Sequence, residues 1–185
     1  MSTKNRLNIT LLLAFPLMSI FPSHAYAWEL IERTDKITDV VVKTTVVTSA
    51  EGATFTVVRQ TDNSVWAYVK LAGFDQFMVN EKLVLRIDKN TPIDFSDSLQ
   101  EVSTRLGRSI HSWEWNPSLI GFRLWHGNPE SGRCGQVTAI LKGFSLIVRY
   151  HPNQSTTRDL TFDISENKAS LLKALDLRAR QCITN

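Results

Sequence analysis

The run Val40–Ser49, VVVKTTVVTS, carries Val or Thr at eight of its ten positions. Branching at Cβ restricts χ1, lowers helix propensity and suits a pleated strand. This one stretch predicts a β-structure, and the segments after it repeat the signal. TFTVVRQ and SVWAYVKL flank Thr61-Asp62-Asn63, which is turn chemistry, and the pair predicts a β-hairpin. In the second run Val65, Ala67 and Val69 alternate with Trp66, Tyr68 and Lys70, so one face is aliphatic and the other aromatic. KLVLRID at Lys82–Asp88 is a further strand, closed by Asn90-Thr91-Pro92. Within Asp94–Gly107 the spacing of Leu99, Val102 and Leu106 after Asp97 fits a short helix, and an irregular crossing fits as well. SIHSWEWN at Ser109–Asn116 and SLIGFRLWHG at Ser118–Gly127 both alternate around Pro117 and predict a second hairpin-like pair. Gln136–Gly143 fits two helical turns. FSLIVRYHP and TRDLTFDIS flank Asn153–Thr156 as the clearest hairpin of the chain.

The last element reads differently. Ala169, Leu172, Leu175 and Ala179 form one stripe at helical spacing, with Ser165 placed to cap and Arg178 and Arg180 in the last turn. That pattern predicts an amphipathic helix over Glu166–Gln181. There is no βαβ alternation, so a parallel doubly wound sheet is not expected. The pattern as a whole is mainly β (α+β): about seven strands in antiparallel hairpins and one C-terminal amphipathic helix.

The N-terminus has its own pattern. Lys4 and Arg6 precede an apolar run from Leu11 to Phe21, which ends in Ala25-Tyr26-Ala27. A positive start, a short apolar middle and an A-x-A end form a secretory signal peptide, and the run is too short for a spanning helix of about 20 residues. Residues 1–27 are therefore expected to be cleaved, leaving a single β-rich exported domain over 28–185, periplasmic and with no membrane span. Removing residues 1–27 takes two of 21 basic residues and none of 18 acidic ones, so the net charge becomes +1. Nothing in that balance suggests a nucleic-acid footprint.

Cys134 and Cys182 are the only cysteines. In an oxidising compartment an even pair favours a disulfide, which would tie down the C-terminus. The competing reading is a reactive thiol or metal site, for which no C-x-x-C spacing is present.

WELIERTDKITD at Trp28–Asp39, RIDKNTP at Arg86–Pro92, ILKGFSLIVRYHP at Ile140–Pro152 and LTFDISENKASLLKAL at Leu160–Leu175 resemble pieces of two groups of small exported bacterial proteins. These are the TagO-like proteins associated with type VI secretion and the invasion-associated locus B family. The resemblance implies an antiparallel β-sandwich with a helix, and a periplasmic accessory or binding role without an assigned catalytic centre. Two features depart from the pattern: FTVVRQ lacks the expected Cys, and Glu166-Asn167 stands where Gly-Phe is usual.

His111, His126 and His151 form no tight ligand spacing, no G-x-S-x-G is present, and the glycines make no phosphate loop, so neither an enzyme nor a cofactor is expected. Aromatics are the more informative signal. His111, Trp113 and Trp115 share one strand face, and Trp125 follows on the next strand two residues after Arg123. Exposed, these five residues would form a shelf that stacks on a protein partner or on sugar rings; buried, the tryptophans would fill the core. The expected role is a non-enzymatic accessory protein docking another envelope protein. The alternative is a peptidoglycan- or glycan-binding module.

Overall fold

A computed structural model of the chain describes residues 27–78, 83–94, 117–127 and 134–182. The described strands are β1 (Glu29–Thr34), β2 (Val41–Thr48), β3 (Thr54–Arg59), β4 (Val65–Lys70), β5 (Val84–Ile87), β6 (Ile93–Asp94), β7 (Leu119–Trp125), β8 (Ser145–Asn153) and β9 (Thr156–Asp163). The described helices are α1 (Gln136–Lys142), α2 (Lys168–Ala174) and α3 (Ala179–Cys182). All strand pairings are antiparallel. One sheet has the order β1-β2-β3-β4-β7 and the other β6-β5-β8-β9.

Strand alternation sets the two faces of each sheet. Val47, Phe55, Val57, Val65, Ala67, Val69 and Phe122 turn inward from the first sheet, and Leu85, Ile87, Leu146, Val148, Leu160 and Phe162 from the second. The rings of Phe55 and Phe162 meet with centroids 5.7 Å apart, joining the two sheets as a sandwich. Trp28, fully buried, stands edge-on to Phe55 at 6.1 Å.

The β3–β4 connection closes through three residues: Asn63 N–H donates to Gln60 O, Gln60 N–H donates to Ser64 O, and Asn63 takes a left-handed φ of 68°. That is a type I turn followed by a left-handed residue, a common hairpin solution. At one end of the sandwich, Asp75 accepts from Tyr150 Oη at 3.0 Å and from Arg158.

The disulfide joins Cys134 to Cys182, with Cα atoms 5.1 Å apart. It closes a loop of 48 residues, worth about 4 kcal/mol in the chain-entropy account. Among the described residues no helix is long and apolar enough to cross a membrane.

The C-terminal helix differs from its expected extent over Glu166–Gln181. Ser165 does not cap it; its N–H and Oγ–H both donate to Asp163 Oδ1. The helix starts after Asn167, which is left-handed, and stops at Ala174. The stop is a Schellman motif: Leu177 N–H reaches Leu172 O at 3.0 Å, Asp176 N–H reaches Lys173 O at 3.3 Å, and Asp176 takes a positive φ of 49°. Arg59 Nη1 donates to Leu175 O at 2.9 Å, satisfying a further carbonyl at the helix end. Propensity favours continuation, but these local bonds and the tertiary one from Arg59 end the helix and turn the chain toward the disulfide.

β1 and β6 were not anticipated. ELIERT shows no clean alternation because an edge strand buries little on either face. The possible helix of Asp94–Gly107 lies outside the described residues from 95 onward, as do residues 1–26 of the expected signal peptide and the Ser109–Asn116 half of the second hairpin.

On the outer face of the second sheet Arg149 stands directly opposite Asp159, giving it two N–H···O bonds of 2.7 Å. The hydrogen bonds from the Arg149 guanidinium hold the Asp159 carboxyl below the ordinary carboxylate range, with desolvation opposing. A depressed folded pKa means the stabilisation is present above the unfolded carboxylate pKa and is lost as pH falls through the folded one. Both side chains are largely exposed, so solvent screening leaves the pair a small contribution. An NMR titration of the Asp159 side chain should find its midpoint below that of an unperturbed aspartate, and Arg149→Gln should move the midpoint up.

Candidate functional site

Pairing in the five-stranded sheet lines outer-face residues into rows. One row runs Ile31, Thr44, Val58, Trp66, Arg123, and the next Glu29, Val46, Thr56, Tyr68, Gly121. Both aromatics project outward because Val65, Ala67 and Val69 take the buried positions between and beside them.

The two rings are held in place. Trp66 Nε1–H donates to Ser64 Oγ at 2.9 Å, and Ser64 Oγ–H donates to Asp62 Oδ1 at 2.6 Å, so the edge of the indole is anchored to the β3–β4 turn. The Arg123 guanidinium lies 5.8 Å from the Trp66 ring centroid, within cation–π range. The Tyr68 ring lies over Gly121: a Cβ there would fall 2.8 Å from Cε1 and 2.9 Å from Cδ1. Gln60 Nε2–H donates to Tyr68 Oη at 3.3 Å. Burial raises the Tyr68 phenol pKa, with Gln60 opposing, and keeps the phenol neutral near pH 7. The result is a pair of part-buried, outward-facing rings with the Arg123 guanidinium beside Trp66.

The predicted shelf is corrected here. Arg123 sits on this face, but Trp125 does not share it. Trp66 pairs with Arg123 and Val65 with Trp125, so Leu124 is the extra residue of a β-bulge. The bulge turns Trp125 to the side of Val65, and both Leu124 and Trp125 are buried. Spacing of two residues therefore does not place Arg123 and Trp125 together. His111, Trp113 and Trp115 lie outside the described residues. Trp66 and Tyr68, absent from the predicted shelf, were visible in the aliphatic–aromatic alternation of SVWAYVKL.

The β1–β2 ribbon extends beyond β3, with Val42 on the outer face beside Arg33 and Val41 on the opposite face. β3 pairs with β2 only from Thr44 onward, so Val41, Val42 and Lys43 pair with β1 alone. The connecting turn is ordered by Asp35, whose Oδ1 accepts the N–H groups of Ile37 and Thr38 at 2.8 and 2.9 Å. These two backbone bonds, Thr38 first, hold the Asp35 carboxyl below its usual range. At the tip Ile37 is 93% exposed, and Val40, Val41 and Val42 are about half exposed. Adjacent apolar side chains left in water are more informative than scattered single ones.

No three His, Cys, Asp or Glu side chains gather as a metal-binding group among the described residues. No family model, curated protein or solved structure matches the chain.

Gly121→Val keeps good strand propensity but collides with the Tyr68 ring. It should cost about 1–3 kcal/mol of stability in a urea melt. In a Tyr68→Ala background the same change should cost much less. An equal cost in both backgrounds would mean that the ring does not lie over Gly121.

Proposed function

We propose that this chain is an exported, non-enzymatic binding protein of the bacterial envelope, and that it docks another envelope protein through the outer face of the five-stranded sheet. The observation that carries this reading is an exposed apolar ribbon tip on the same sheet as the outward-facing Trp66 and Tyr68. Trp66 and Tyr68 each keep part of their ring accessible and have little side-chain freedom to lose. Ile37, Val40, Val41 and Val42 offer aliphatic surface suited to an apolar protein surface rather than to a sugar. The A-x-A segment before Trp28 and the Cys134–Cys182 bond support an oxidising, exported location. The resemblance to the TagO-like and invasion-associated locus B groups supports an accessory role.

A second reading has its own support. Thr56 stands directly opposite Tyr68, and an aromatic ring flanked by a hydroxyl suits a glycan such as peptidoglycan.

A photo-crosslinking residue placed in cells at Val58 or at Ile37 should yield a discrete adduct with a second protein. The same residue at Thr161, on the outer face of the other sheet, should yield none. Equal adducts at all three positions, or none at any, would count against the docking face. Co-sedimentation with purified peptidoglycan that is lost in Trp66→Ala but kept in Ile37→Asp would favour the glycan reading.

A further inference from the structure

We infer that β1 is a self-complementary edge that pairs with β1 of a second copy, joining two five-stranded sheets into one continuous sheet. Among the described residues β1 is the end strand of its sheet, with β2 as its neighbour. The phase of its backbone is set by the bond from Asp35 N–H to Val40 O at 2.9 Å. Inward and outward bonding alternate along an antiparallel strand. Arg33, Ile31 and Glu29 therefore bond toward β2, while Leu30, Glu32 and Thr34 direct their N–H and C=O groups outward. An unpaired row of this kind is a template for another strand. Its beginning is closed, because Asn167 Nδ2–H donates to Trp28 O at 2.6 Å.

Side chains choose the partner and the register. The outer face of β1 reads Glu29, Ile31, Arg33, with both charged residues exposed. A two-fold axis through Ile31 sets Ile31 against its own copy and each Glu29 against the other copy's Arg33. In this register Leu30 and Glu32 face one another across the axis, and both have outward backbone groups, so the two pairs exchange four hydrogen bonds. A shift of the axis toward Glu32 opposes Glu32 to itself and Glu29 to Asp35, like charges in both cases. A shift the other way needs the Trp28 carbonyl that Asn167 already holds. One register alone thus matches both charge and backbone. The two outer faces then lie on the same side of the joined sheet, doubling the aromatic surface whichever ligand it takes. The contact is small and belongs with weak, reversible associations.

Sedimentation equilibrium of the purified exported chain, across concentrations up to the millimolar range, tests this. The wild type should move from the monomer mass toward twice that mass as concentration rises. Glu29→Arg alone and Arg33→Glu alone should each hold the chain monomeric where the wild type associates, with unchanged denaturation midpoints. The double variant Glu29→Arg/Arg33→Glu restores opposite charges across the axis and should associate again. A wild type monomeric throughout, single swaps that associate as the wild type does, or a double swap that stays monomeric would each overturn the inference.

Discussion

The ring of Phe55 is where the two sheets meet. It touches Trp28 at 6.1 Å, Phe122 at 6.3 Å and, across the sandwich, Phe162 at 5.7 Å. Tilted and edge-on contacts of this kind suit the charge distribution of aromatic rings and add to their burial. Trp28 makes the arrangement depend on the residue just before β1: its side chain is in the core, and its carbonyl is bonded to Asn167 at the start of α2. Strand, core and closing helix are thereby tied at one place.

The ends of the sandwich are held by polar groups aimed at backbone. Arg59 reaches the end of α2, and Lys168 reaches the Leu141 and Gly143 carbonyls at the end of α1. A cation there matches the negative end of a helix. Burial lowers the Lys168 pKa, with Asp88 opposing. Asp88 in turn accepts the N–H groups of Phe144 and Ser145. Together with the disulfide, these contacts fix α1, α2 and the C-terminal turn against the body. α2 packs on β1, β2 and β3, with Leu171 and Leu175 fully buried in the common core, while Trp66 and Tyr68 lie on the outer side of β4 in the same sheet. The architecture therefore packs its helix on one side of this sheet and turns Trp66 and Tyr68 to the other.

Much of this was legible in the residues. β-Branched runs and turn chemistry located β2, β3, β4, β5, β8 and β9, and the two cysteines pair as an oxidising compartment favours. The misses have local causes. Edge strand β1 lacks alternation because neither face is deeply buried. The helix expected to run to Gln181 stops at Ala174 because Asp176 adopts a left-handed conformation that sequence preference assigns to glycine. Trp125 was misplaced because a bulge adds one residue at Leu124 and reverses every face assignment after it. A bulge leaves no mark in a short alternating run, so Arg123 and Trp125 look like neighbours until their partners on β4 are known. The aromatic pair that does face outward was readable all along in the alternation of β4.

The central claim is that Phe55 couples both sheets into one cooperative body. Hydrogen exchange of Phe55→Ala, measured strand by strand, tests it most directly. Removing a buried phenylalanine costs about 3–5 kcal/mol. The account predicts that slow amides in β3 and β4 and those in β8 and β9 lose protection by the same amount. Wild-type protection retained in β8 and β9, with the loss confined to the five-stranded sheet, would contradict it.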